Sequence, residues 1–122
     1  MAAGLIWRSG KVLITKRPAG SHLAGFWEFP GGKKETHETL EECLEREIKE
    51  ELGIDIQTEK RLTSVHHEYE TKFITLHVFH CIHKGGRPAP LEGQESRWVV
   101  PEDLKNYTFP PPDIEVIELL SP

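Results

Sequence analysis

Glu47, Glu50 and Glu51 fall at i, i+3 and i+4 in a stretch where Leu40, Leu44, Ile48 and Leu52 recur every four residues. That repeat draws one apolar stripe along a helix, and side chains three and four apart are neighbours on its surface. Like charges so placed repel by roughly 0.2–0.5 kcal/mol per pair. Arg46 faces Glu42 and Glu50 at i±4, and Lys49 faces Glu45. These pairs lie beside the cluster and do not neutralise all of it. Glu47 and Glu51 lean toward the apolar stripe, and half-buried carboxylates want a compensating cation. Hard carboxylate oxygens select Mg²⁺, Mn²⁺ or Ca²⁺. Such an ion can bridge phosphate oxygens and position a water. The plainer reading of the same residues is a solvated acidic helix face. The crowding is local, since eight glutamates lie between Glu35 and Glu51.

The elements that must carry this cluster can be read from periodicity and punctuation. Leu5-Ile6-Trp7 and Val12-Leu13-Ile14 flank Ser9-Gly10 and predict a hairpin. Residues 18–35, with Pro18, Gly20, Gly25, Pro30, Gly31 and Gly32, predict a long structured loop of the kind that often carries function. The helix is expected over about residues 38–52, with Thr36 as N-cap and Gly53 as its stop. Residues 73–82 alternate with apolar side chains on both faces, which predicts a central strand, and 62–70 reads as its antiparallel neighbour. Lys84 to Pro90 reads as a turn or loop, Trp98-Val99-Val100 as a short strand, and Pro101 to Leu104 as a helix start. Ile114, Ile117 and Leu120, after Pro110-Pro111-Pro112, predict a second helix. Strands flanked by two helices make an α/β sandwich.

The acidic helix does not stand alone. Gly32, five residues, Glu38, seven residues, Arg46-Glu47-Ile48, one residue, Glu50-Glu51, one residue and Gly53-Ile54 resemble the Nudix box at every fixed position over 23 residues. Lys16-Arg17-Pro18, Trp27-Glu28-Phe29-Pro30-Gly31-Gly32, Glu92-Gly93-Gln94 and Phe109-Pro110-Pro111 extend the resemblance over nearly the whole chain, toward the MutT-like branch. The resemblance implies a single Nudix domain over residues 1–122, folded as an α/β/α sandwich with a mixed β-sheet and two main helices. It implies an Mg²⁺-dependent hydrolase, with Mn²⁺ able to substitute, that converts nucleoside triphosphates to monophosphate and pyrophosphate. Oxidised nucleotides such as 8-oxo-dGTP are the implied targets. Attack at the α or the β phosphorus stays open.

Carried over by position, Glu47, Glu50 and Glu51 resemble the family's metal ligands, and the main-chain carbonyl of Gly31 a further one. Arg46 resembles the residue that orients the ligand carboxylates, and Glu38 the one that anchors the loop onto the helix. Glu92 resembles a distal glutamate that serves as metal ligand, general base or both, with Glu95 second for that role. Arg17 resembles an arginine that contacts the α-phosphate. Lys33 is placed to meet phosphate or to be a solvated loop lysine. Phe29, Trp27 and His22 lie in the loop that packs against a base, although Trp27 reads better as core. The MutT pattern has asparagine where this chain has Asp113. An ionised aspartate only accepts hydrogen bonds, which suits an exocyclic amino group and raises CTP and 5-hydroxy-CTP as rival substrates. Asp113 reads equally as a helix N-cap.

Composition narrows the alternatives. A net charge of −5 in 122 residues argues against a stable nucleic-acid complex. No apolar run approaches the ~18–20 residues that span a bilayer, and the start of the chain lacks signal-peptide pattern, so a cytoplasmic location is expected. Cys43 and Cys81 read as reduced core thiols, and His37, His66, His67, His77, His80 and His83 as structural or solvated. The chain is expected to be a monomer or a homodimer. The remaining readings are a Nudix hydrolase of another diphosphate, such as a nucleotide sugar or dinucleoside polyphosphate, and a non-catalytic nucleotide-binding module. The intact glutamates weigh against the latter.

Overall fold

The computed structural model describes residues 1–69 and 72–120, with Tyr69 described by its backbone alone. It begins with the expected hairpin. Strands β1 (Ala2–Arg8) and β2 (Lys11–Lys16) are antiparallel, with Arg8 opposite Lys11. Ser9 and Gly10 between them have φ of 50° and 76°. Two left-handed residues in succession match the twist of the flanking strands, which is why a two-residue turn closes here.

The Gly- and Pro-rich stretch is more regular than a loop. It contains β3 (Trp27–Glu28), paired with β2, and β4 (Gly31–Gly32), paired with β1. The glycines of β4 are required by close approach. A Cβ on Gly31 would overlap the Ala2 carbonyl, and one on Gly32 would overlap the Glu47 carboxylate.

Helix α1 (Leu40–Leu52) stops at Gly53, in the left-handed region at φ 70°, as expected. Its cap is Thr39 and not Thr36. The Thr39 hydroxyl accepts from the Glu42 amide at 3.1 Å, and the Glu42 carboxylate accepts from the Thr39 amide at 2.8 Å. Only Thr39 has a glutamate three residues on to complete this reciprocal box, and that decides the helix start.

Strands β5 (Asp55–Tyr69) and β6 (Lys72–Gly85) form a long antiparallel pair. Both exceed the expected lengths, and Lys84, expected in a turn, remains in β6, with Gly85 opposite Asp55. Glu70, the last residue of the expected 62–70 strand, lies outside the described residues. Strand β7 (Glu95–Val99) starts well before Trp98 because it pairs along β2 from Lys16 to Val12. A six-residue 3-10 helix (Pro101–Asn106) follows, and then α2 (Pro111–Leu120).

The sheet runs β3-β2-β1-β6-β5, with β4 also on β1 and β7 also on β2. Among the described residues only β1 and β6 pair in parallel, from Ala2 opposite His77 to Trp7 opposite Ile82. The sheet is therefore mixed, and β6 is interior, as its two apolar faces implied. Alternation along β1 and β2 builds two cores. Ala3, Leu5, Val12 and Ile14 face Leu104, Phe109 and Val116 on the α2 side. Ala2, Ile6 and Leu13 face Cys43, Leu44, Ile48 and Leu52 of α1. This is the expected α/β/α sandwich. Both cysteines are buried free thiols, and burial pushes Cys81 up to about 12. Among the described residues no helix is long and apolar enough to cross a membrane.

Ile48 is fully buried between α1 and the sheet. Ile48→Ala is expected to cost about 2–5 kcal/mol, read from urea unfolding. An unchanged midpoint would mean that α1 does not seat on the sheet through this face.

Candidate active site

Arg46 organises the helix side of the site. Its Nε and Nη2 donate to the two oxygens of Glu38 at 2.9 and 2.7 Å, a paired charge-assisted contact. Its Nη1 donates to Glu47 Oε1 at 2.8 Å and Glu50 Oε2 at 3.1 Å, and its Nη2 also reaches the Lys33 carbonyl at 3.3 Å. Glu38 accepts from the Glu35 amide at 2.8 Å as well. The Arg46 bonds, followed by this amide, hold the Glu38 carboxyl down at about 2. One guanidinium thus ties the loop before α1 to two carboxylates of the helix. The expected Arg46–Glu42 pair is not made, because Glu42 is engaged at the cap. Lys49 donates to Asp55 at 3.0 Å instead of meeting Glu45, which accepts from the Thr58 amide at 3.4 Å.

Glu51 lies on the inward side of the same turn, 7% exposed. Its Oε1 accepts from Gln94 Nε2 at 3.2 Å, while its Oε2 is buried without a partner. Burial, reinforced by the charges of Glu47, Glu28, Glu92 and Glu50, pushes its carboxyl up to about 8. A carboxylate buried among four others is a strongly cation-seeking group. The three helix glutamates are therefore not equivalent. Glu50 is half exposed, Glu47 sits against Gly32, and Glu51 alone is deeply buried. Among the described residues no three acidic, histidine or cysteine side chains converge to metal-coordinating distance, since Glu47 and Glu50 are turned onto Arg46.

Glu51 forms part of the wall of a cleft of about 1030 Å³. Gly31, Gly32, Glu92 and Gln94 stand near it in this lining, with Arg17, His22 and Glu28 from the β2–β3 region. Phe29, Pro110, Pro112 and Asp113 also line the cleft, as do Lys72, Ile74 and Leu76 of β6. Arg17 Nη1 donates to Glu28 at 3.0 Å, and its Nε to the His22 carbonyl. Phe29 stacks on Phe109 with centroids 5.3 Å apart. Trp27 is core, edge-on to Tyr107.

Of the residues singled out by sequence, Gly31, Glu51, Glu92, Arg17, His22, Phe29 and Asp113 all line this cleft. Glu47, Glu50 and Arg46 form the adjoining network. Lys33 is exposed and outside the lining. Glu95 is also outside it, paired with Arg97 at 3.1 Å on β7, so that of the two only Glu92 lines the cleft. Asp113 is not the N-cap of α2. It lies within the first turn, and its Oδ2 accepts from the Phe29 amide at 3.3 Å. Burial above all, with the Glu28 charge adding to it, pushes Asp113 up to about 7. Sequence reasoning assigned no role to Gln94, Glu28 or Lys72. The Glu92-Gly93-Gln94 motif was the one available pointer to Gln94.

Comparisons with known proteins agree with this geometry. The NUDIX domain model matches residues 2–119. The chain is 38% identical over 118 residues to the CTP pyrophosphohydrolase of Escherichia coli, covering 97% of this chain and 87% of that one. It is 36% identical over 121 residues to the 8-oxo-dGTP diphosphatase of the same organism, covering 98% and 94%. The crystal structure of the MutT NUDIX hydrolase from Burkholderia pseudomallei superposes with a TM-score of 0.87 at 28% identity, covering 98% and 95%.

The Asp113 carboxyl titrates higher in the folded chain than the ordinary value of 3.8. Its contribution to stability is therefore intact below about pH 4 and is lost as pH rises through about 7. Asp113→Asn carries no charge at any pH and should escape that loss. Urea midpoints from pH 4 to pH 8, with chelator present, should move steadily in favour of the variant relative to wild type. A difference that stays constant over the range would rule out a buried, titrating Asp113.

Proposed function

This chain belongs to the NUDIX family and is a MutT-like hydrolase of phosphoric anhydrides, and from that premise we propose that it cleaves nucleoside triphosphates to the monophosphate and pyrophosphate. Oxidised or otherwise unwanted nucleotides, 8-oxo-dGTP among them, are the proposed targets. The names of its relatives support this reading. The observation that carries it is Glu51, a buried carboxylate with one unpartnered oxygen in the wall of a nucleotide-sized cleft, with the charges of Glu47, Glu28, Glu92 and Glu50 acting on it.

Hydrolases of this family are divalent-metal dependent, and we take the metal to be Mg²⁺, with Mn²⁺ able to replace it. The oxygen donors here fit such an ion, because the orphaned Glu51 Oε2 and the negative surroundings call for a hard cation. Glu47, Glu50, Glu51, Glu92 and the Gly31 carbonyl would hold the metal, which when bound neutralises phosphate charge and acidifies water. Glu92, from a separate loop, is assigned to remove the proton of the attacking water. Arg46 holds Glu47 and Glu50 in register with the loop at Glu38. Arg17, kept in place by Glu28 and the His22 carbonyl, is assigned to the α-phosphate. Phe29 and His22 are assigned to the nucleoside end of the cleft. Lys33 is read as a solvated lysine whose carbonyl braces Arg46.

Asp113 favours a second reading of substrate preference. Its carboxylate lies in the cleft beside Phe29, where an acceptor would meet an exocyclic amino group such as that of cytosine. CTP and 5-hydroxy-CTP are therefore included as candidate substrates.

A panel of normal and oxidised nucleoside triphosphates, ranked by kcat/KM from pyrophosphate release with Mg²⁺, tests the proposal. Glu47→Gln and Glu51→Gln should each lower turnover by about 10²-fold or more with the fold intact. Near wild-type turnover of either variant at saturating Mg²⁺ would overturn the metal assignment. Release from none of the nucleotides would overturn the proposed activity.

A further inference from the structure

Gln94 is 8% exposed and lines the cleft. It lies two residues after Glu92, just past Gly93, whose φ is 86° and whose amide donates to the Pro90 carbonyl at 3.0 Å. The distal turn is thereby closed and directs Gln94 inward. Its amide nitrogen donates to Glu51 Oε1 at 3.2 Å, across 43 residues of sequence. Its own Oε1 is buried without a partner, and so is Glu51 Oε2. The pair therefore brings two orphaned acceptors into one wall of the cleft. A contact serving only stability would be a poor design, because each buried unsatisfied acceptor costs about 1–3 kcal/mol. A donor supplied by a ligand or its bound water would satisfy both.

A primary amide suits the clamping role. Its NH₂ group occupies one carboxylate oxygen without adding charge to an already negative cluster. A carboxylate there would repel Glu51, and a lysine would neutralise it. The clamp also links helix α1 to the turn that bears Glu92, adding to the bond from the Ala89 amide to the Leu52 carbonyl at 2.9 Å that ties the start of this segment to the end of the helix.

We propose that Gln94 is a positioning residue, which fixes Glu51 through Oε1 so that Oε2 is left for the cleft, and which locks the Glu92 turn to α1. The proposal rests on the hydrolase reading of this site.

The test uses Gln94→Leu, which removes the donor at similar volume, and Gln94→Met, which keeps the unbranched shape if the first variant folds poorly. Mn²⁺ binding by calorimetry on the chain alone is one readout, and kcat and KM for a nucleoside triphosphate are the second. Urea midpoints provide the third. Losing a group that orients a metal ligand typically weakens metal affinity or activity by about 10–100-fold. Mn²⁺ affinity and kcat should both fall by that factor, with KM nearly unchanged and the folded state retained. Mn²⁺ affinity and kcat within twofold of wild type in a folded variant would overturn the proposal and leave the hydrolase reading standing. A lowered midpoint with unchanged Mn²⁺ affinity would show a purely structural role and would also overturn it. Wild type that binds no Mn²⁺ would bring down both the cation site and the role of Gln94.

Discussion

Negative charge is crowded onto the turn of α1 that also has to seat against the sheet. Ile48 and Leu52 bury the helix, and Glu51 lies between them in sequence, so its carboxylate is drawn into the protein with them. Water cannot screen it there, and the charges of Glu47, Glu28, Glu92 and Glu50 act on it through a poorly polarisable interior. The proton is held far above its ordinary range as a result. Much of the surrounding architecture can be understood as a way of managing this electrostatic strain.

Arg46 is the main device on the helix side. It takes up Glu38, Glu47 and Glu50 together and braces the Lys33 carbonyl. Its planar group can satisfy several acceptors at once, which an ammonium point charge does less well. The glycines at 31 and 32 complete the arrangement from the other side. Their missing side chains let β4 lie directly on β1 and against the Glu47 carboxylate. Loop, helix and strand therefore meet at a single cluster of carboxylates without steric conflict.

Across the cleft the chemistry changes character. Phe29 stacks on Phe109, and Asp113 accepts from the Phe29 amide. Apolar surface around one buried acceptor is the usual composition of a site that orients a planar ligand. Acidic and aromatic residues thus line one cleft, and the Glu28 charge acts on both Glu51 and Asp113. The mixed sheet makes this possible, because β1 contacts β4 on one side and β6 on the other.

Helix α1, its glycine stop, the first hairpin and the interior β6 were legible because each is written in local periodicity or turn chemistry. The spacing of Glu47, Glu50 and Glu51 likewise placed them on one helix surface, and the resemblance carried their expected role. Sequence set Glu47 and Glu51 toward the apolar stripe but did not single out Glu51, because its burial depends on where the sheet lies beneath the helix. It ranked Glu92 ahead of Glu95 by resemblance alone, and only the pairing of β7 with β2 shows that Glu95 lies in a strand outside the cleft lining. Asp113 meets Phe29 across 84 residues, and Gln94 meets Glu51 across 43. Contacts of that separation leave no periodic trace in the chain. They exist only once the sheet has brought distant segments together, so tertiary packing decided which polar groups share the cleft.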